Sequence, residues 1–207
     1  MGKLLIVNGS PRAPKSNSKK YSAILKKFWK GQVEEYMVTA KDHKSVLSKI
    51  QQYDHLVFVF PLYVDSLPVP FMDFLKQLEQ IKKERKPILH VLINCGFLES
   101  EQNEVAIKIM KLFCKKNHFS YGMTLCIGSG EAILTTPFAF IVKHKIRKFV
   151  YGIQHEKQKI LKVTMPLSKK SFIKASTKYW EKYGRQNKIT KEQMATMKIE
   201  EYASYGF

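Results

Sequence analysis

Four stretches of the chain are apolar at nearly every position, and each stops at a polar or small residue: 4–7 before Asn8 and Gly9, 55–60 before Pro61, 87–93 before Asn94, Cys95 and Gly96, and 121–127 before Gly128, Ser129 and Gly130. A strand that is apolar on successive residues has both faces covered, as central strands of parallel sheets do. Between these runs the period changes. Tyr21, Ile24, Leu25, Phe28 and Trp29 recur at helical spacing over 19–30, where Gly31 ends the run, and Val46, Leu47 and Ile50 do so over 43–52. Phe71, Phe74, Leu75 and Leu78 give the buried stripe of a helix beginning near Pro70, where proline suits a first turn. A helix over 101–116 turns Val105, Ile109, Leu112 and Phe113 inward, with Ser100 as its cap. Residues 33–38 alternate, as an edge strand does.

Strands alternating with helices over short connections, with no internal repeat and no low-complexity tract, predict an α/β fold around a parallel sheet. Five strands with a helix each match a flavodoxin-like three-layer fold with strand order 2-1-3-4-5. In that order the loops after strands one and three diverge and leave a crevice. At 207 residues, one such domain with a tail is expected rather than two domains. Residues 1–152 are taken as the flavodoxin-like domain and 153–207 as a basic helical C-terminal extension packed on it. Around that boundary, 135–151 reads as a helix rich in Phe, Ile and Val, 154–166 as a basic linker, and 170–183 as a last amphipathic helix.

The formal charge of +19 raises the question of a nucleic-acid partner. The 36 cations comprise 32 lysines and only four arginines, Arg12, Arg85, Arg147 and Arg185. Base readout favours arginine forks, so a lysine-rich hydrated surface is the expectation and nucleic acid is not the expected partner. The excess gathers at the C-terminal end, where residues 141–207 hold 16 cations and 5 anions. Cys95, Cys114 and Cys126 are odd in number and fit no metal-ligand spacing, which fits a reducing compartment. No leader pattern and no run of membrane-span length is present, so a cytoplasmic protein is expected. The histidines form no ligand cluster, and no Ser/His/Asp arrangement appears at a telling spacing.

Candidate chemistry lies in the turns that follow the strands. After the first strand, Ser10, Arg12, Ser16, Asn17 and Ser18 supply hydroxyls, an amide and a guanidinium just before a helix, where free backbone N–H groups make an anion site suited to a phosphate. After the third comes a loop with proline and an aromatic, Pro61, Leu62, Tyr63 and Val64; after the fourth, Asn94, Cys95, Gly96 and Phe97. A ligand spanning all three has a phosphate at one end and a flat, partly apolar body at the other, which describes flavin mononucleotide (FMN). Asn94 to Phe97 would turn backbone N–H groups toward the ring's pyrimidine edge, where negative charge develops on reduction. Taken singly, each element also has a plain reading: serines and prolines as turn formers, Tyr63 as a shield over the core, Cys95 as a small buried thiol, and residues 128–131 as a tight turn.

The motifs VNGSPR with SNS after it, PLYVDSLPVPFMDFL, and NCGF together resemble the NADPH-dependent FMN reductase and flavodoxin-like NAD(P)H oxidoreductase family over about residues 3–131. The resemblance implies that Ser10, Arg12, Ser16, Asn17 and Ser18 hold the FMN phosphate and that Pro61 to Val64 and Asn94 to Phe97 enclose the ring. It also implies NAD(P)H as co-substrate, a small-molecule electron acceptor (a quinone, a nitro or azo compound, a flavin or a metal complex) and a homodimer. Phe138, Phe140, Ile141, Phe149 and Tyr151 are the candidate interface residues. Two rivals stay open: a flavodoxin-like electron carrier without turnover of its own, and a flavin-free protein whose basic tail binds nucleic acid or an anionic membrane.

Overall fold

The computed structural model describes residues 2–39, 42–81 and 85–196. Six strands form one parallel sheet: β1 (Leu4–Asn8), β2 (Val33–Met37), β3 (His55–Pro61), β4 (Ile88–Asn94), β5 (Tyr121–Ile127) and β6 (Ile160–Val163), in the order β2-β1-β3-β4-β5-β6. The first five reproduce the expected flavodoxin-like order. The sixth corrects the five-strand expectation, because it lies in the stretch read as a linker. Only Val163 of its four residues is buried, so no apolar run marks it in the sequence. Pairing along β5, from Thr124 against Ile160 to Ile127 against Val163, is what makes it a strand.

Strand alternation sorts the core into two layers. Helices α1 (Asn17–Phe28) and α5 (Ala139–Gln154) share one face of the sheet. On the other, α2 (Lys44–Leu47), α3 (Val69–Glu79) and α4 (Glu104–Lys116) pack on Leu5, Val7, Phe58, Phe60, Val91 and Ile93. The expected stripe of α3 is buried as read. The Phe71 ring centroid lies 5.0 Å from that of Phe58 and 4.7 Å from that of Phe60. Burial of each such ring contributes about 1.5–3 kcal/mol. Gly9 belongs to this packing, since a Cβ there would come within 2.7 Å of the Phe71 ring.

Helix α4 presents a face largely different from the one expected, since of that stripe only Phe113 packs against the core. Ala106, Ile107, Met110 and Cys114 are buried, whereas Val105 and Ile109 are exposed and Leu112 is 65% exposed. Both sets satisfy the helical period, and the set with the small residues Ala106 and Cys114 faces the sheet, where it permits close approach. Ser100 does not cap this helix either; residues Ser100–Asn103 form a single 3₁₀ turn ahead of it.

Helix α1 starts at Asn17, two residues before the expected Lys19, because Ser16 caps it by accepting from the Lys19 N–H at 3.2 Å. Its outer edge is fastened to β2 by Lys19 and Lys26, whose ammonium groups lie 2.6 and 2.5 Å from one oxygen of Glu35. Burial would raise the Glu35 pKa, but the hydrogen bonds and charges of the two lysines outweigh it and hold the carboxyl below its usual range.

The chain divides into two compact units, Met1–Met165 and Pro166–Phe207. The second contains α6 (Lys169–Gln186), which runs beyond the expected 170–183, and a short α7 (Lys191–Ala195) that the sequence reading did not include. Ser168 caps α6, and Thr190 and Gln193 form a capping box on α7. Among the described residues, no helix is long and apolar enough to cross a membrane.

Candidate functional site

The turns after β1, β3, β4 and β5 meet at the carboxyl edge of the sheet and are tied to one another by hydrogen bonds. Leu62 N donates to Asn94 O at 2.8 Å, Cys95 N to Ile127 O at 2.9 Å and Gly130 N to Cys95 O at 2.7 Å. From α1, the buried Tyr21 hydroxyl donates to Gly130 O at 2.7 Å and Asn17 Nδ2 to Glu131 O at 3.1 Å. Burial pushes the Tyr21 pKa up, so the phenol keeps its proton and remains a donor. The Asn94 side chain, within the sheet edge, donates to Ser18 Oγ at 3.2 Å and Phe60 O at 3.1 Å. Gly130 permits this closure, since a Cβ there would approach Asn94 Cβ to 2.8 Å.

Within this frame the loop after β1 leaves a row of its backbone donors unpaired. Ser10 N donates to Asn8 Oδ1, Arg12 N to Ser10 Oγ and Ala13 N to Ser10 O, which coils the loop on itself. The next four backbone N–H groups, of Lys15, Ser16, Asn17 and Ser18, meet no acceptor among the described residues. Asn8 Nδ2 is buried and likewise without a partner. Successive free N–H groups at the start of a twelve-residue helix, with the exposed side chains of Arg12 and Lys15 beside them, are donors of the kind from which anion sites are built. A phosphate monoester fits that donor set.

The neighbouring turns suit the rest of such a ligand. Gly96 N and Phe97 N have no acceptor among the described residues, and a Cβ added at Gly96 would meet nothing within 4 Å. Phe97 and Tyr63 are exposed aromatics, and Pro61 is half-buried. Tyr63 and Ser66 pair as an antiparallel bridge across a tip made by Val64 and Asp65, both in the left-handed region at φ 47° and 55°. Val64 is β-branched and 98% exposed, so this conformation is strained and held by the bridge.

The predicted residues therefore take different roles. Ser10 and Ser18 are buried, and the Ser18 hydroxyl accepts from Asn94; Ser16 Oγ serves as the α1 cap; Arg12, Tyr63, Val64, Gly96 and Phe97 reach solvent. Leu62 is buried, and its N–H, like that of Cys95, is engaged with the sheet. Cys95 Sγ is buried and accepts from Asn103 Nδ2 at 3.5 Å, and burial pushes its pKa up, so it is a packed, protonated thiol. Residues 128–130 form a turn braced by Ser129 N to Phe97 O at 2.5 Å. The sequence reading missed Asn8, Tyr21 and the Lys15 N–H. A polar residue closing an apolar strand is the signal that would have found Asn8; a backbone donor has no side-chain signal.

No protein-family model matches the chain, and no curated protein matches it. Solved structures do. An NAD(P)H:quinone oxidoreductase from Methanothermobacter marburgensis superposes with a TM-score of 0.61 at 12% identity, over 76% of this chain and 98% of that one. An FMN-dependent NADH-azoreductase from Bacillus anthracis in complex with FMN gives 0.57 at 13%, over 74% and 99%. A flavodoxin from Streptococcus pneumonia gives 0.56 at 16%, over 74% and 98%. The chain thus has the flavodoxin-like fold.

Proposed function

We propose that the protein is an FMN-dependent NAD(P)H oxidoreductase that reduces a small-molecule acceptor. The observation that carries this reading is the row of free N–H groups from Lys15 to Ser18 at the carboxyl edge between β1 and β3, the place where this topology binds ligands. These donors, with Arg12 and the Ser10 hydroxyl, would hold the phosphate. Pro61, Leu62 and Tyr63 would wall one side of the ring, and Gly96 N and Phe97 N would donate to its pyrimidine edge, where fixed dipoles stabilise negative charge without a catalytic acid. FMN, when bound, supplies hydride acceptance from the nicotinamide and delivery to the acceptor. Two solved neighbours described as a quinone oxidoreductase and an azoreductase support a quinone or azo compound among the candidate acceptors.

The test is to titrate the purified protein with FMN and then add NADH and NADPH in turn without oxygen. Flavin bleaching by either nicotinamide supports the reading, and a protein that refuses FMN overturns it. A carrier of the flavodoxin kind would bind FMN and show negligible turnover; its docking on basic partners calls for an acidic surface, against the +19 here. A homodimer belongs to the same proposal. Phe149 is removed from its expected interface because it is fully buried, leaving Phe140 and Tyr151 exposed on α5, and a sedimentation mass of one chain would remove the dimer altogether.

A further inference from the structure

Helix α6 is eighteen residues long and buries only Gly184. At 3.6 residues per turn, Phe172, Ile173, Ser176, Tyr179, Trp180 and Tyr183 fall in one stripe about 120° wide. Ile173, Tyr179, Tyr183 and Trp180, the last 49% exposed, stand in solvent. The opposite side carries Lys170, Lys174, Lys178, Lys182 and Arg185 against the single acid Glu181. Helix α7 extends the apolar side. Its Met194 and Ala195 line a cleft of about 380 Å³ together with Phe172, Ile173 and Trp180, and Lys191 bridges to Glu181 at 3.2 Å at the rim.

We propose that α6 docks in the plane of an anionic phospholipid bilayer, its aromatic stripe in the headgroup boundary and its lysines drawing the helix to the surface. A large, aromatic-rich apolar face opposed to a lysine-rich polar face, in a helix too polar to span, is the pattern of an in-plane membrane helix. Tyr and Trp suit the boundary because one end of each ring system is apolar and the other wet. Charge selects the lipid: five cations against one anion favour an anionic leaflet. The same segregation argues against a single-stranded nucleic acid, which is bound by a cationic groove with aromatics that stack on the bases, and a duplex, held through its phosphates, would leave the aromatic stripe uncovered.

Full-length protein is floated with vesicles of phosphatidylcholine alone and of phosphatidylcholine with phosphatidylglycerol. It should float with the anionic vesicles only. Emission should shift to the blue, reporting Trp180, because the one other tryptophan, Trp29, is 7% exposed and already buried. Joint replacement Lys170→Gln, Lys174→Gln and Lys178→Gln should lower the partition coefficient about tenfold or more. Raised salt should weaken binding in the same direction. The pair Trp180→Ala and Tyr183→Ser, both at exposed positions, should lower binding and abolish the spectral shift. The proposal is overturned if the protein ignores anionic vesicles, if both sets of variants still bind fully, or if it binds duplex DNA with a steep salt dependence while leaving vesicles alone. None of these readouts involves flavin, so failure here leaves the proposed function standing, and failure of FMN binding leaves this test intact.

Discussion

Near the amino edge of the sheet, His90 has both ring nitrogens engaged, one with Met123 N and one with His55; at the carboxyl edge, the N–H groups of Lys15 to Ser18 and of Gly96 and Phe97 meet no acceptor among the described residues. His90 Nδ1 accepts from Met123 N at 2.9 Å, so its proton sits on Nε2 and is donated to His55 Nδ1 at 3.3 Å. Gly122 makes room for the ring, since a Cβ there would approach it to 2.4 Å. Both edges hold buried polar residues, yet the His90 ring is partnered at both nitrogens and the carboxyl-edge donors are not. A closed circuit contributes stability; donors left open and fixed in place are what a ligand can use.

The comparison can be broken first at its closed side. His90→Ala leaves a cavity and an unpartnered Met123 N–H, and should cost about 3–5 kcal/mol in chemical denaturation, with FMN affinity measured on the folded fraction unchanged. Acid should act on the same pair. Burial lowers the pKa of His90 to about 3 and also lowers that of His55, against the pull of Asp54 and Glu156. The unfolded chain takes up these protons near pH 6.5 and the folded one at lower pH, near 3 for His90. Stability is therefore full above about 6.5 and falls as the pH drops toward 3, by about 2 kcal/mol at pH 5 for His90 alone. Denaturation curves at several pH values should show that slope in the native sequence and a shallower one, left by His55, in His90→Ala.

At the open edge, Asn17→Pro deletes a backbone donor, and with it the side-chain bond to Glu131 O, while placing proline at the first position of α1, where the extended backbone of Ser16 (φ −135°, ψ 160°) accommodates it. Fluorescence titration should show FMN binding weakened about tenfold, with the melting temperature lowered by only the few degrees that one exposed side-chain hydrogen bond contributes. Unaltered FMN affinity would mean that the phosphate lies elsewhere. The smallest effect is expected at the hairpin tip: Val64→Gly relieves the strained residue and should raise stability by about 1 kcal/mol, read as a small rise in melting temperature.

The sheet was legible because β1, β3, β4 and β5 are covered on both faces, so their sequences are apolar whatever lies beside them. The loop that starts the candidate site was legible for the complementary reason: it breaks such a run with residues that turn and cap. Strand β6 was not, because an exposed edge strand owes its form to β5, and the buried face of α4 was not, because two stripes satisfied one period. Nor was the pairing of His55 with His90, 35 residues apart in the chain.

By itself, then, the sequence determined the first five strands with the helices between them, their parallel order and the polar turn that opens the candidate site. Tertiary structure alone decided which donors stay free at that edge and which are taken up by neighbours. An N–H has the same chemistry in every residue but proline, and whether an acceptor comes within reach is settled only when distant segments pack together.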